Sequence, residues 1–226
     1  MTESAESAGR RTNGNGHFVR EGFLLVVAAL LAALAGMVDA IGYQHLSGLF
    51  VSFMSGNSTQ LAIALGRGNL PEAGRIAELV AFFVLGAAAG QMLADLTGGR
   101  HMTWVLVGVG ILLAISGALR SAPEPMTFAM GALNASMHRA GHIPVSVTFV
   151  TGVLVRFGQG LGNLLIRAST GWDWLAQASP WVGIIAGAAI GGLLYNRIGE
   201  TAIWFAVGLA GLLAACSKLM PQPEST

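Results

Sequence analysis

The chain of 226 residues is 54% hydrophobic and only 10% charged, with a formal net charge of +1. Soluble domains carry roughly 25% charged residues, so this composition excludes an ordinary globular protein. The near-neutral charge gives no reason to expect a nucleic-acid partner. The 32 glycines are typical of membrane proteins, in which small residues line close helix contacts. The lipid bilayer is therefore the first predicted partner.

Residues 1–20 are polar and rich in Gly, Ser and Asn, which predicts a disordered cytoplasmic tail. Eight apolar segments follow, to be compared with the length of about 20 residues that a membrane span needs. They are 22–42, 47–66, 76–96, 102–119, 125–139, 144–167, 177–196 and 201–219. The fifth is short and the second contains a polar run, so the sequence leaves six to eight full spans open. Residues 221–226 form a short C-terminal tail.

The distribution of basic residues favours a cytoplasmic N-terminus. If all eight segments cross, eight Arg and Lys residues lie on the side of the N-terminus and three lie on the opposite side. Arg156 is then left within a span. Because basic residues accumulate on the cytoplasmic side of membrane proteins, both termini are predicted to lie in the cytoplasm.

The two halves of the chain carry similar motifs in the same order. Residues 51–56 read VSFMSG and residues 147–152 read VTFVTG. Further matches pair Gly36, Asp39 and Ala40 with Gly131, Asn134 and Ala135; Gly86 and Gly90 with Gly187 and Gly191; and Trp104 and Gly108 with Trp204 and Gly208. The offsets stay between about 95 and 101. We therefore predict an all-α, polytopic transmembrane helix bundle built from two homologous halves, 21–120 and 121–220.

The number of spans decides how two such halves are related. Four spans in each half insert both halves in the same direction, and a pseudo-two-fold axis then runs along the membrane normal. Three spans in each half would make the repeats inverted. The eight segments favour the first arrangement.

A polar run, SGNSTQ at residues 55–60, interrupts the second apolar segment. Backbone that leaves a helix at membrane depth needs partners in protein or in a water-filled cavity. Thr151 and Gly152 lie at the matching depth in the second half. One interpretation is a pair of related helix breaks that face a shared central site. The other is a tight helix crossing, with hydroxyls bonded back to their own helices.

Two ionisable side chains fall within the predicted spans. Asp39 lies about 24 Å along the first span, where it either faces a cavity or caps the next segment at the interface. Arg156 lies about a dozen residues into its span and either holds an anionic group or extends to the interface. Straight helices separate the two by roughly 14 Å in depth, which argues against a direct ion pair.

The motifs themselves resemble those of a known family. GMVDAIGYQHLSGLFVSFMSGNSTQL and FAMGALNASM, followed by VTFVTGVLVRFGQ, resemble the two hallmarks of the YoaK family of bacterial multi-pass membrane proteins. The resemblance covers residues 22–215 and departs only in detail, with Ser55 where Thr is frequent and Ala132 where Gln is frequent. It implies a bacterial inner-membrane protein. The family has no established function, so the resemblance implies no substrate and no catalytic residue.

These features predict a transporter or channel for an unidentified small solute, with a central site between the halves. The candidate lining residues are Asp39, Ser55, Asn57, Gln60, Asn134, Thr151 and Arg156. Arg156 would hold an anionic group of the solute, and Asp39 would act as a proton or cation site. Asn57 and Arg156 are the sharper candidates, because the halves differ at these positions. The alternative is a non-transporting membrane scaffold or accessory subunit.

The sequence contains no motif typical of an enzyme. It offers no nucleophile paired with a base, no paired carboxylates and no phosphate-binding loop. The spacing of His138 and His142 spans a predicted turn and lacks further ligands, which disfavours a metal site. We therefore expect no enzymatic activity, no cofactor and no metal, and we leave a homo-oligomer open.

Overall fold

The computed structural model describes residues 3–98, 101–120, 122–139, 150–166 and 178–217, and the regular structure of these residues is helical throughout. In chain order the helices are α1 Glu3–His45, α2 Met54–Gly66, α3 Leu70–Thr97, α4 His101–Ala118, α5 Pro123–Arg139, α6 Val150–Leu165, α7 Ser179–Ile198 and α8 Ile203–Ser217. A 3₁₀ helix, Gly199–Ala202, joins α7 to α8. Each predicted apolar segment overlaps one of these α-helices, which confirms the all-α bundle.

Among the described residues, four helical stretches are long and apolar enough to cross a membrane: Leu25–His45, Leu70–Thr97, His101–Ala118 and Ser179–Ser217. The last stretch comprises α7 and α8 with the turn between them. These stretches confirm a polytopic membrane protein. In contrast, α2 has 13 residues and is about 20 Å long, against a hydrocarbon core of about 30 Å.

The first helix begins earlier than the sequence indicates. Residues 3–20, expected to be disordered, continue α1 as helix. Once a helix is formed, each added residue gains one hydrogen bond, whereas starting a helix is costly. A stable apolar span can therefore extend into a polar flank that would not form a helix alone.

Glycines bring two pairs of helices into backbone contact, α1 with α7 and α3 with α5. A Cβ added to Gly191 would lie 2.6 Å from the carbonyl oxygen of Met37. A Cβ added to Gly90 would lie 2.6 Å from the carbonyl oxygen of Ala132. No side chain fits at these distances, so the crossings require glycine.

The same contacts give the directions of the helices. The paired positions are Ala29–Gly183, Ala33–Gly187 and Met37–Gly191 in the first crossing, and Phe128–Gly86 and Ala132–Gly90 in the second. Because residue numbers rise together within each crossing, α1 runs parallel to α7, and α3 runs parallel to α5.

A third pair of helices, α4 and α8, runs antiparallel. At one end of this contact Thr103 Oγ1 lies 2.7 Å from Ser217 Oγ. At the other end a Cβ added to Gly117 would lie 2.7 Å from the side chain of Ile203. Residue numbers rise in one helix as they fall in the other, so the two directions are opposite.

Several chain ends meet on one side of the bundle, which we call side A. His45 Nδ1, at the end of α1, lies 3.7 Å from the carboxylate of Glu200 in the turn between α7 and α8. The end of α4 lies there too, through the contact of Gly117 with Ile203. From this side α5 starts and packs back along α4. Because α3 is parallel to α5, α3 also starts on side A.

It follows that α2 does not cross the bundle. It joins the end of α1 to the start of α3, and both lie on side A. The opposite side, side B, holds Leu25 of α1 next to the start of α7, since the Ser179 hydroxyl donates to the Leu25 carbonyl at 3.3 Å.

The expected arrangement of four spans in each half, with both halves inserted in the same direction, is wrong. It would require α4 and α8, which match at an offset of 100, to run parallel, whereas they run antiparallel. The physical reason lies in residues 47–66, which are as apolar as a span but form a non-helical segment and a short helix. Hydropathy does not distinguish that arrangement from a single crossing helix.

Candidate functional site

The chain leaves α1 through a turn that reverses its direction. Ser47 and Gly48 have positive φ angles of 55° and 103°. The Gly48 N–H donates to the Tyr43 carbonyl at 2.8 Å. This combination is a Schellman motif, in which a left-handed residue closes the last helical turn. Glycine suits the second position because it adopts positive φ at no steric cost.

After the turn, the chain runs back beside α1 without helical structure as far as residue 53. A Cβ added to Gly42 in α1 would lie 2.9 Å from a methyl group of Val51. We call residues 46–66, the returning segment together with α2, the re-entrant hairpin. Its backbone groups cannot pair within a helix at residues 49–53, so they need other partners.

Asp39 supplies several of these partners. Its Oδ1 accepts hydrogen bonds from the backbone N–H groups of Val51 at 2.9 Å and Ser52 at 2.7 Å. Its Oδ2 accepts one from the Ser52 hydroxyl at 2.5 Å. Asp39 lies six residues before the end of α1, which is about 9 Å along the helix. This geometry agrees with the interpretation that Asp39 caps the segment leading into the next helix.

Asn57 is fully buried and bonds both backbone groups of Phe50. The Phe50 N–H donates to Asn57 Oδ1 at 3.0 Å, and Asn57 Nδ2 donates to the Phe50 carbonyl at 2.6 Å. The side-chain amide thus takes the place of a neighbouring strand. Gln60 Nε2 donates to the Gly48 carbonyl at 3.0 Å. Residue 57 thus pairs with residue 50, and residue 60 pairs with residue 48. Because the numbers rise in α2 as they fall in the returning segment, α2 runs back beside that segment in the opposite direction.

The polar run at the start of α2 lies within the helix. Since α2 begins at Met54, Ser55 and Asn57 lie in its first turn, and the break precedes them at residues 47–53. The Ser58 and Thr59 hydroxyls donate to carbonyls four residues earlier, at 2.7 Å and 3.1 Å. These two hydroxyls therefore bond back to their own helix.

The candidates of the second half lie on two other helices. Asn134 in α5 is buried, and its Nδ2 donates to the Met130 carbonyl at 2.9 Å. Its Oδ1 has no hydrogen-bond partner among the described residues. In α6, Thr151 is exposed and Arg156 is half-buried.

The structure therefore brings together three of the seven predicted residues. Asp39, Asn57 and Gln60 meet at the re-entrant hairpin. Ser55 is exposed nearby on α2, and the remaining candidates lie on α5 and α6. Within the described ranges, no group of three or more His, Cys, Asp and Glu residues is placed to hold a metal ion.

The sequence interpretation missed Ser52, which contacts Asp39 through both its hydroxyl and its N–H. A signal for it existed, because both halves carry a hydroxyl residue at this position, Ser52 in VSFMSG and Thr148 in VTFVTG. It also missed the ring contacts of Phe50, which lies 4.8 Å from Tyr43 and 5.3 Å from Phe53 between ring centroids.

Known proteins match most of the length of the chain. The family model described as a protein of unknown function, DUF1275, matches residues 27–216. The chain belongs to this family. YoaK is also a member, so the resemblance drawn from the motifs is confirmed. The UPF0700 transmembrane protein RA0705 of Rhizobium meliloti (strain 1021) is 38% identical over 202 residues, which cover 88% of each chain. No solved structure matches.

Proposed function

We propose that this membrane protein is a secondary transporter or channel for a small solute. The observation that carries the proposal is the re-entrant hairpin, in which non-helical backbone runs beside α1. Such backbone is tolerated at membrane depth where protein encloses it or where it lines a water-filled path. Broken helices also build the substrate and ion sites of many secondary transporters.

We further propose that the halves are homologous and inverted. The two contacts at 2.6 Å support this, because Gly90 and Gly191 are 101 residues apart and their partners, Met37 and Ala132, are 95 apart. These offsets equal those of the sequence motifs. The first helix of each half thus packs on a long helix of the other half: α1 packs on α7, and α5 packs on α3.

The antiparallel contact of α4 and α8 supports the inverted relation. A Cβ added to Gly110 would lie 3.8 Å from the Cβ of Ala210, and these two positions differ by an offset of 100. Equivalent residues that face each other lie next to a local two-fold axis. An axis through antiparallel helices at this contact lies in the membrane plane, as in transporters with inverted repeats.

Asp39 is suited to link ion binding to the hairpin. Both of its oxygens accept hydrogen bonds from Val51 and Ser52, so a proton or cation taken up there acts on the returning segment directly. Arg156 would hold an anionic group of the solute, since its guanidinium keeps its charge and can donate several hydrogen bonds. The proposal assigns no catalytic role to any residue.

We also infer a bacterial inner membrane and a cytoplasmic N-terminus. With α2 outside the count of spans, four basic residues fall on side A: Arg67, Arg75, Arg120 and Arg197. In the sequence, the other eight belong to the N-terminal part of α1, the connection of α3 to α4, the stretch from the end of α5 to the start of α7, and the C-terminal tail. The excess on the side of the N-terminus again favours the cytoplasm for that side.

The test begins with a thermal-shift screen of the purified protein against small metabolites, because a specific ligand stabilises the state that it binds. Uptake of the stabilising compound into proteoliposomes is then measured for the wild type and for Arg156→Leu. Gln159→Leu, an exposed position on the same helix, is the matched control. We expect loss of uptake for the first variant and normal uptake for the second.

Normal uptake by a well-expressed Arg156→Leu variant would reject the role of Arg156. The scaffold alternative has one observation in its favour, since Asp39, Asn57 and Gln60 bond backbone groups of their own hairpin. It expects no stabilising compound in the screen. It also expects the Arg156→Leu variant to lose copurifying membrane proteins instead of transport.

A further inference from the structure

We propose that the two halves move unequally, so that the re-entrant hairpin on side A is fixed and α6 is the element that moves. The difference in motion follows from the contacts that hold the hairpin and from those that hold α6. Only the part that this motion plays in a transport cycle rests on the proposed function.

The hairpin is fastened along its whole returning segment. Six hydrogen bonds join its backbone and the Ser52 hydroxyl to the side chains of Asp39, Asn57 and Gln60. The ring of Phe50 lies between those of Tyr43 and Phe53. In addition, α2 packs along α3. These bonds are partly buried, and a backbone group that loses its partner away from water costs about 1–3 kcal/mol, so the segment opens rarely.

The matching positions of the second half differ at all three fastening side chains, and one of them is apolar. At an offset of 96, Asn57 corresponds to Val153 and Gln60 to Arg156. Val153 is buried and has no polar side-chain atom. Arg156 keeps a donor like the one with which Gln60 bonds the Gly48 carbonyl, whereas the amide that bonds both groups of Phe50 has no counterpart at Val153. Asn134, the counterpart of Asp39, has an Oδ1 without a partner in the described part of the chain.

The surroundings of α6 agree with freer motion. Among the described helices α6 packs against α7, where the Phe157 and Trp181 rings lie 6.5 Å apart between centroids. Leu154 and Leu161 of α6 are exposed, but more than half of the residues of α2 are exposed as well, so the difference between the halves lies in the packing partners and the hydrogen bonds. An element with few buried contacts opens at low free energy. In the transport cycle α6 would therefore move and carry Arg156 with it, while the hairpin with Asp39 stays in place.

Matched spin-label pairs test this asymmetry without any solute. In a Cys216→Ser background, which removes the sole cysteine, one variant carries Leu65→Cys and Val84→Cys on α2 and α3. The other carries Leu161→Cys and Ile185→Cys, the equivalent positions on α6 and α7. All four side chains are exposed, so the labels do not disturb packing.

Double electron–electron resonance in lipid nanodiscs gives the distance distribution of each pair. We expect a single narrow distribution for the α2–α3 pair and one at least twice as broad, or with two maxima, for the α6–α7 pair. Equal widths, or a broader α2–α3 distribution, would overturn the proposal. Because neither measurement involves solute, such a result leaves the transporter proposal untouched, and failure to find a solute leaves this one untouched.

A second variant tests whether the hydrogen bonds of Asn57 keep the α2–α3 distance distribution narrow. Asn57→Val gives the hairpin the residue found at position 153, and it should broaden the α2–α3 distribution. Thr59→Val is the control, because the Thr59 hydroxyl bonds only its own helix. Broadening by both variants, or by neither, would contradict the role given to Asn57. If Asn57→Val does not fold, the comparison of the two pairs in the otherwise unchanged chain still decides the proposal.

Discussion

Replacement of Gly191 by alanine tests the backbone contact that holds α1 against α7. The added Cβ would lie 2.6 Å from the Met37 carbonyl oxygen and 2.9 Å from its Cα. The helices must separate by about 0.4 Å to reach the 3.0 Å below which Cβ contacts essentially do not occur. Both atoms of Met37 belong to a helix backbone and cannot rotate away. Overpacking of this kind typically costs about 1–3 kcal/mol of folding free energy.

Gly208→Ala on α8 is the matched control, because nothing lies within 4 Å of a Cβ added there. Alanine in place of glycine inside a helix stabilises the folded state by roughly 0.5–1 kcal/mol. The two substitutions are chemically identical, yet the contacts predict opposite signs. Gly90→Ala, at the equivalent crossing of α3 with α5, should behave like Gly191→Ala.

The assay is the midpoint of thermal unfolding of the purified protein in one detergent. All variants are heated at one scan rate, since unfolding that is irreversible gives a midpoint that depends on the rate. For a chain of this size 1 kcal/mol shifts the midpoint by about 2–4 °C. If Gly191→Ala raises the midpoint as Gly208→Ala does, α1 and α7 do not cross at the described distance.

Two further predictions concern the re-entrant hairpin. Asp39→Asn keeps an acceptor for the N–H groups of Val51 and Ser52 and should lower the unfolding midpoint only slightly. Asp39→Leu leaves both N–H groups unsatisfied, at about 1–3 kcal/mol each, and should lower the midpoint much more. Equal midpoints for the two variants would contradict the capping role. In a Cys216→Ser background, cysteines at Asn69 and Thr201 should react with an impermeant thiol reagent from one face of membrane vesicles, and a cysteine at Asp95 from the other. Labelling of Asn69 and Thr201 from opposite faces would mean that α2 crosses the membrane.

The sequence located the hairpin but not its form. The polar run SGNSTQ stands out against its apolar flanks, and Asn57 and Gln60 in it do bond the returning segment. The role of Asp39 stayed open because its partners, Val51 and Ser52, lie 12 and 13 residues ahead in the chain. They meet Asp39 only because the chain reverses at Ser47. That reversal depends on local backbone angles, which hydropathy does not report.

The relation between the halves was open for a similar reason. Motif matches at a constant offset are the same whether two repeats run parallel or inverted. The number of spans decides between them, and that number depends on α2, whose 13 residues are too few to cross. Glycine positions such as Gly90 and Gly191 were recognisable as packing positions, since small residues four apart line helix contacts. Their partners on the other half were not recognisable from sequence.

Asn134 offers a last test of how the halves differ. It occupies the position of Asp39, but it is buried, and its Nδ2 donates to the Met130 carbonyl at 2.9 Å. Asn134→Asp replaces this donor with an oxygen that repels the carbonyl, and it places a carboxylate where the remaining oxygen has no described partner. A buried carboxylate without a partner destabilises strongly, whereas Asp39→Asn only removes a charge from a bonded site. We therefore expect Asn134→Asp to lower expression and the unfolding midpoint far more than Asp39→Asn, and equal losses would refute the difference between the two sites.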